Sequence, residues 1–253
     1  MRRHWTTFLA ATVALWLLAH SVAFFSHEFA HTFTAHFLGW KMDPFDLDWG
    51  SPTPINVVLH QDIDENVDYR PMFASGHATH AGIIALAGSA LGNLGASLFV
   101  GLALFAIARQ RKSVVLGCFA YWLVALCVGN LVSYVPLRVF AMHADMHTVE
   151  AGFGWAPGQV LLFVGVPYLV ALLWFYARFQ PATLAWLFPT HVARRYAMLL
   201  LTAITVFGFF CLGGLAGYGD TSHQLSVAFM VVLAPLSLLV GLWLDRRTVG
   251  RGG

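Results

Sequence analysis

Long apolar runs separated by short polar connections organise this chain. Six runs are long enough to cross a bilayer core of about 30 Å at a helical rise of about 1.5 Å per residue. They are Trp5–Leu38, Ile83–Ala108, Val114–Val135, Val160–Phe179, Ala197–Tyr218 and Val227–Leu244. The first is too long to stand upright in the core, so it is expected to tilt, bend or protrude. Only the connection from Lys41 to His80 is long and polar, and it is acidic, with Asp43, Asp46, Asp48, Asp62, Asp64, Glu65 and Asp68. Inside it, Ser51-Pro52-Thr53-Pro54 signals a turn, Ile55–His60 reads as a short strand, and Phe45–Trp49 alternates as its partner. A small hairpin at the membrane surface is expected there. No internal repeat or low-complexity tract interrupts the pattern. The expected fold is all-α, a polytopic membrane protein of about six transmembrane helices.

Composition strengthens that reading. Apolar residues make up 58% of the 253 positions and charged residues 10%, with a mean hydropathy of +0.70. A water-soluble domain carries about 25% charged residues, so most of this surface is expected to face the lipid bilayer. A net charge of +2 is too small to point to nucleic acid. Cys118, Cys127 and Cys211 all lie in apolar runs. The first two would sit about 13 Å apart on one helix, too far for a disulfide, and packing is the expected role. The start, Met1-Arg2-Arg3-His4 before Trp5–Phe25, resembles a signal peptide, but the apolar run continues to Leu38, so an uncleaved first helix is expected.

The basic residues set the expected orientation. Arg2, Arg3, Arg109, Arg111, Lys112, Arg178, Arg194, Arg195, Arg246, Arg247 and Arg251 emerge on the side of the N-terminus, and Lys41, Arg70 and Arg138 on the other. Cytoplasmic flanks collect Lys and Arg. Both termini are therefore expected in the cytoplasm, with the Lys41–His80 connection, the His143–Glu150 stretch and the Asp220–His223 turn outside.

The first run carries the chemistry, in His27-Glu28-Phe29-Ala30-His31. Residues four apart share a helix face, so His27 and His31 can reach one metal ion, with Glu28 beside them to act on water rather than to bind. Two His and one Glu in an apolar span are costly unless paired or functional. A catalytic zinc takes three protein ligands and keeps one position open. The third span ends on the same side, and the stretch Pro136–Glu150 after it offers His143, Asp145, His147 and Glu150. From Trp5 to His27 a helix rises about 33 Å, and from His27 to Trp40 about 20 Å. If both Trp mark interfaces, the site is submerged and reached from the extracytoplasmic side.

Further motifs extend the pattern: Ala87-Gly88-Ser89-Ala90-Leu91-Gly92-Asn93 in the second span, and Asn130-Leu131-Val132-Ser133-Tyr134-Val135-Pro136 followed by Asp145 in and after the third. Together with HEFAH, this order resembles the three core spans of site-2 proteases, intramembrane zinc metalloproteases. The resemblance covers roughly residues 15–150. It implies Zn2+ as cofactor, Asp145 as third ligand, and Asn93 and Asn130 as residues that hold substrate or order the site. It also implies a membrane-protein substrate, with 151–253 as accessory transmembrane helices. Ser89 stands where the family often has Pro, Met146 replaces a Gly, and the Asn130–Asp145 spacing is longer. Well-known members open the site to the cytoplasm, whereas the charge count here opens it outward.

Other features invite plainer readings. Gly88-x-x-x-Gly92 reads first as helix packing in lipid. His36 is expected at a helix end, His77 and His80 as a solvated pair, and His20 as a core histidine or a partner of the site. Two rivals remain. His27/His31/His36, His77/His80 and His143/His147 could form His boxes of a membrane di-iron oxidase. Alternatively the metal is structural, in a non-catalytic scaffold. The favoured expectation is peptide hydrolysis with Glu28 as general base, the expected Phe45–His60 hairpin holding the unwound substrate by strand addition.

Overall fold

The computed structural model describes residues 2–249, with side chains from 4 to 247. Arg251 and the side chains of Arg2 and Arg3, used in the charge count, lie outside the described residues. Six helices are long and apolar enough to cross a membrane: His4–Phe37, Ala78–Gln110, Val114–Leu137, Pro157–Leu187, Val192–Leu215 and Asp220–Arg247. The chain is all-α, and no strand forms among the described residues.

Span number and order match the apolar pattern, but most ends move outward, while the first helix stops at Phe37 and the fifth at Leu215, short of Tyr218. The fourth helix runs eight residues past Phe179, through Pro181. Proline lacks an amide donor and crowds the preceding turn. Here the turn before it, Phe175–Phe179, is π-helical, a local adjustment that accommodates such breaks. The fifth helix begins at Val192 because Arg195 is buried rather than solvated. Its Nε donates to Asp245 Oδ1 at 2.7 Å and its guanidinium also donates to Phe188 O at 2.7 Å. The sixth begins at Asp220, an acidic residue in a first turn that favours negative charge.

The Lys41–His80 connection corrects the hairpin expectation. Pro54–Leu59 is a helix, with the Thr53 side chain accepting from Asn56 N at 3.1 Å and Pro54 at the first position. A Thr cap before a Pro with preset φ starts a helix where turn signals before an apolar run suggested a strand. Asn56 then ties the loop together, donating to Trp49 O at 2.9 Å and Ser51 O at 2.8 Å and accepting from Asp62 N at 2.9 Å. A single antiparallel bridge, Asp48 to Asp64, is all that remains of extended pairing. Strand addition at Phe45–His60 therefore has no strand to build on.

The chain divides into two compact units, Met1–Cys127 and Val128–Gly253. In the first, the opening span packs along the second, and Ala35, Met72, Ala81 and Ile84 form a buried cluster beneath Trp40 and Tyr69. In the second, Val132, Val206 and Phe207 form the buried centre. A side chain at Gly129 would run into the Phe210 ring, so that position stays bare.

Candidate metal centre

His27, Glu28 and His31 lie one turn apart on the first span and are nearly sealed, at 2%, 7% and 1% exposure. Two hydrogen bonds from the second span set the imidazoles. His31 Nδ1 lies 2.6 Å from Ile84 O. A carbonyl only accepts, so His31 carries its proton on Nδ1. His27 Nδ1 lies 2.8 Å from Asn93 Oδ1. Asn93 Nδ2 donates to Ala23 O at 3.0 Å, which orients the amide and leaves Oδ1 as acceptor. His27 therefore also donates from Nδ1.

The consequence lies on the other side of both rings. The two Nε2 atoms face each other at 3.1 Å, each presenting a lone pair. Two acceptors at that distance repel unless a cation lies between them. Two imidazoles on one tetrahedral zinc, each about 2.0–2.1 Å from it, have nitrogens about 3.3 Å apart. The observed spacing fits. Nδ1–H bonded to an oxygen is also the usual arrangement behind a metal-bound His, because it fixes the tautomer and the ring.

The second span can do this because its backbone comes unusually close. A Cβ at Gly88 would collide with His31 Nε2 and lie 2.5 Å from His27 Cε1, and one at Gly92 would lie 2.7 Å from His27 Cα. The two glycines do serve helix packing: Gly88 packs against both histidine rings and Gly92 against the backbone of Ser26 and His27. The stretch Gly88–Ser97 is π-helical, a widening often found at functional sites, and it carries Asn93. Ser89 is fully buried in the same stretch.

The third span breaks at Val135, whose extended φ of −133° and ψ of 118° suit a residue preceding proline. After this kink the chain leaves helix past Leu137 and re-enters it at Ala144–Phe153, with Asp145 in the first turn. One ligand atom from each of His27, His31 and Asp145 lies within 4.8 Å of the others, a group that could hold a metal ion. Among the described residues it is the one such group of three or more His, Cys, Asp or Glu, and it includes neither His143 nor His147. His143 is exposed and stacks on Tyr218 at 4.8 Å. His147 and Asn130 are half-buried.

The remaining histidines have other partners. His36 bonds Lys41 O at 3.0 Å at the exposed helix end. Trp40 Nε1 donates to His80 Nδ1 at 2.9 Å, and His77 lies 3.0 Å from Ser75 Oγ. His20 is buried, donates to Leu59 O at 3.2 Å, and lies parallel to both Trp16 and His60. The apolar pattern hid His60. It closes the Pro54–Leu59 helix in a left-handed conformation and bonds Ser21 Oγ at 2.9 Å. Burial pushes its imidazole below the ordinary range, partly offset by a backbone hydrogen bond to Asn56. Burial also raises the Glu150 carboxyl, whose Oε1 is buried without a hydrogen-bond partner.

Comparison of the chain with known protein families, with curated proteins and with solved structures finds no match.

Proposed function

We propose that this chain is an intramembrane zinc metalloprotease that hydrolyses peptide bonds of membrane-embedded or membrane-associated proteins. One observation carries the reading. Both Nε2 lone pairs of the HEFAH histidines converge at 3.1 Å while both Nδ1 protons are spent on oxygens. The donor set of two imidazoles and the Asp145 carboxylate leaves one position open, as hydrolytic zinc requires. When bound there, zinc supplies Lewis acidity that brings the pKa of water to about 7. Glu28 takes the water's proton as the new C–O bond forms, and hands it to the amine as the C–N bond breaks. The burial of Glu28 keeps bulk water from competing for that proton. Asn93 orders His27, and Asn130 is assigned to the substrate side.

The same donor set also suits non-haem iron(II). Glu28 next to a ligand favours hydrolysis, since a facial triad has no use for a carboxylate there. A di-iron site would need further histidines in range, and His36, His77 and His80 have partners of their own. The charge asymmetry supports cytoplasmic termini and a site opening outward.

Glu28→Gln tests the assignment. The variant should keep its zinc and lose proteolysis by several orders of magnitude, with a transmembrane peptide substrate in detergent as readout. Loss of zinc along with activity would make Glu28 a ligand and end its role as base.

A further inference from the structure

The segment that delivers Asp145 is irregular. After Leu137 the chain leaves helix, and at Ala144 it adopts a φ of +68°, strained for a residue with a Cβ. A backbone bond from Ala141 N to Arg138 O at 3.2 Å closes one turn of it, and contacts with other elements add to that.

Two of its residues meet the same ring. The Arg138 guanidinium lies 4.7 Å from the Tyr134 ring centroid and 5.0 Å from that of Tyr218. His143, two residues before Asp145, stacks on Tyr218 at 4.8 Å with an interplanar angle of 10°. Tyr218 thus grips the segment at both ends, at its start through a cation over the ring and at its finish through a stacked imidazole. The tyrosine sits in Ala216-Gly217-Tyr218-Gly219, the turn between the fifth and sixth spans. Gly217 and Gly219 have φ of +84° and +88°. Only glycine adopts both without strain, so the turn is bent on either side of the one aromatic residue, whose ring is half-buried while its neighbours are exposed. The same connection is fastened just beyond, where Ser222 Oγ donates to Leu137 O at 2.5 Å. Arg138 Nε is buried without a hydrogen-bond partner, while the guanidinium also hydrogen-bonds the Tyr134 side chain. Arg138 is held as a cation: burial opposes the charge, and Tyr134, Tyr218 and Asp145 more than offset it.

We infer that Tyr218 is a positioning residue for the metal centre, fixing Asp145 through Arg138 and His143. The fifth–sixth turn then has a part in the site, although the sequence pattern makes those spans accessory. The inference rests on the reading of Asp145 as third ligand.

Zinc affinity of the full-length chain in detergent, measured by chelator competition, tests it. Tyr218→Leu fills the space but lacks the flat face, and should weaken zinc about 10- to 100-fold, the usual effect of losing a group that orients a ligand. Tyr218→Phe keeps the face and should bind as wild type. In an Asp145→Ala background Tyr218→Leu should cost nothing further, whereas general loosening would add its own loss. Unchanged affinity in Tyr218→Leu, or an equal loss with Asp145 already gone, overturns the inference. Should Tyr218→Leu not fold, hydrogen exchange on wild type decides. Zinc removal should speed exchange in 216–220 together with 138–145, and an unresponsive 216–220 overturns it. Wild type that binds no zinc fails the metalloprotease reading itself; wild type that binds zinc beside an unaltered Tyr218→Leu fails only this one.

Discussion

An imidazole binds a metal through whichever nitrogen its other nitrogen leaves free. His27 and His31 were legible because HExxH places two such rings four residues apart, where any helix brings them together. Their tautomers were not legible. They depend on Ile84 O and on Asn93, residues 53 and 66 positions away. The sequence suggested that Asn93 holds substrate or orders the site, and its bond to His27 favours the second role. Asn93→Ala should therefore lower zinc affinity by about 10- to 100-fold and leave helix content unchanged. Chelator competition and circular dichroism measure both, and wild-type affinity in Asn93→Ala would show that His27 needs no orientation. The proposed third ligand was the hardest residue to read. His143, Asp145 and His147 lie within five positions, and helical spacing cannot choose among them because the chain is not helical from Arg138 to His143.

At the scale of elements, the apolar spans were plain and their polar additions were not. Gly88 and Gly92 read as packing because spacing shows that a helix can come close but not what it approaches. Ile55–His60 read as a short strand after turn signals, yet Thr53-Pro54 was also a cap followed by a helix start, and that local chemistry prevailed. The resulting turn puts His60 against His20, Phe24 and Phe25 on the first span, and beside Ser21. Burial holds the His60 pKa below its ordinary 6.5. The folded state therefore favours the neutral ring. Its contribution is complete above about pH 6.5 and is lost as pH falls through the lower folded value. His20 faces the same ring and would oppose a second charge there. Acidification to about pH 5 should loosen the Pro54–Leu59 helix, seen as faster amide exchange at Val57–Leu59 after correction for intrinsic rate. His60→Phe should remove most of that dependence. An identical pH response in His60→Phe would place the titrating group elsewhere.

For the molecule as a whole, six spans follow from alternating apolar runs, and the proposed outward opening of the site rests on asymmetric charge. The charge count treated Arg194 and Arg195 alike, since nothing local separates them. In the fold Arg195 is 1% exposed and paired with Asp245, fifty residues away. A tertiary pair of that kind leaves no periodic trace. The proposed orientation does not depend on it, because the other basic residues keep the same bias. With Cys118, Cys127 and Cys211 replaced, a cysteine at Ser75 should react with a membrane-impermeant thiol reagent on intact cells. One at Ser113, in the short connection between the second and third spans, should react only after lysis. The reverse pattern would turn the site toward the cytoplasm.

The central claim is that His27 and His31 are shaped for a metal ion. Elemental analysis of the purified chain tests it most directly, on wild type and on His27→Ala prepared in parallel with controlled metal. Wild type should carry about one zinc per chain, the occupancy expected of a single three-ligand site, and His27→Ala should carry almost none. Wild type with no metal, wild type with iron in place of zinc, or full zinc in His27→Ala would contradict the account.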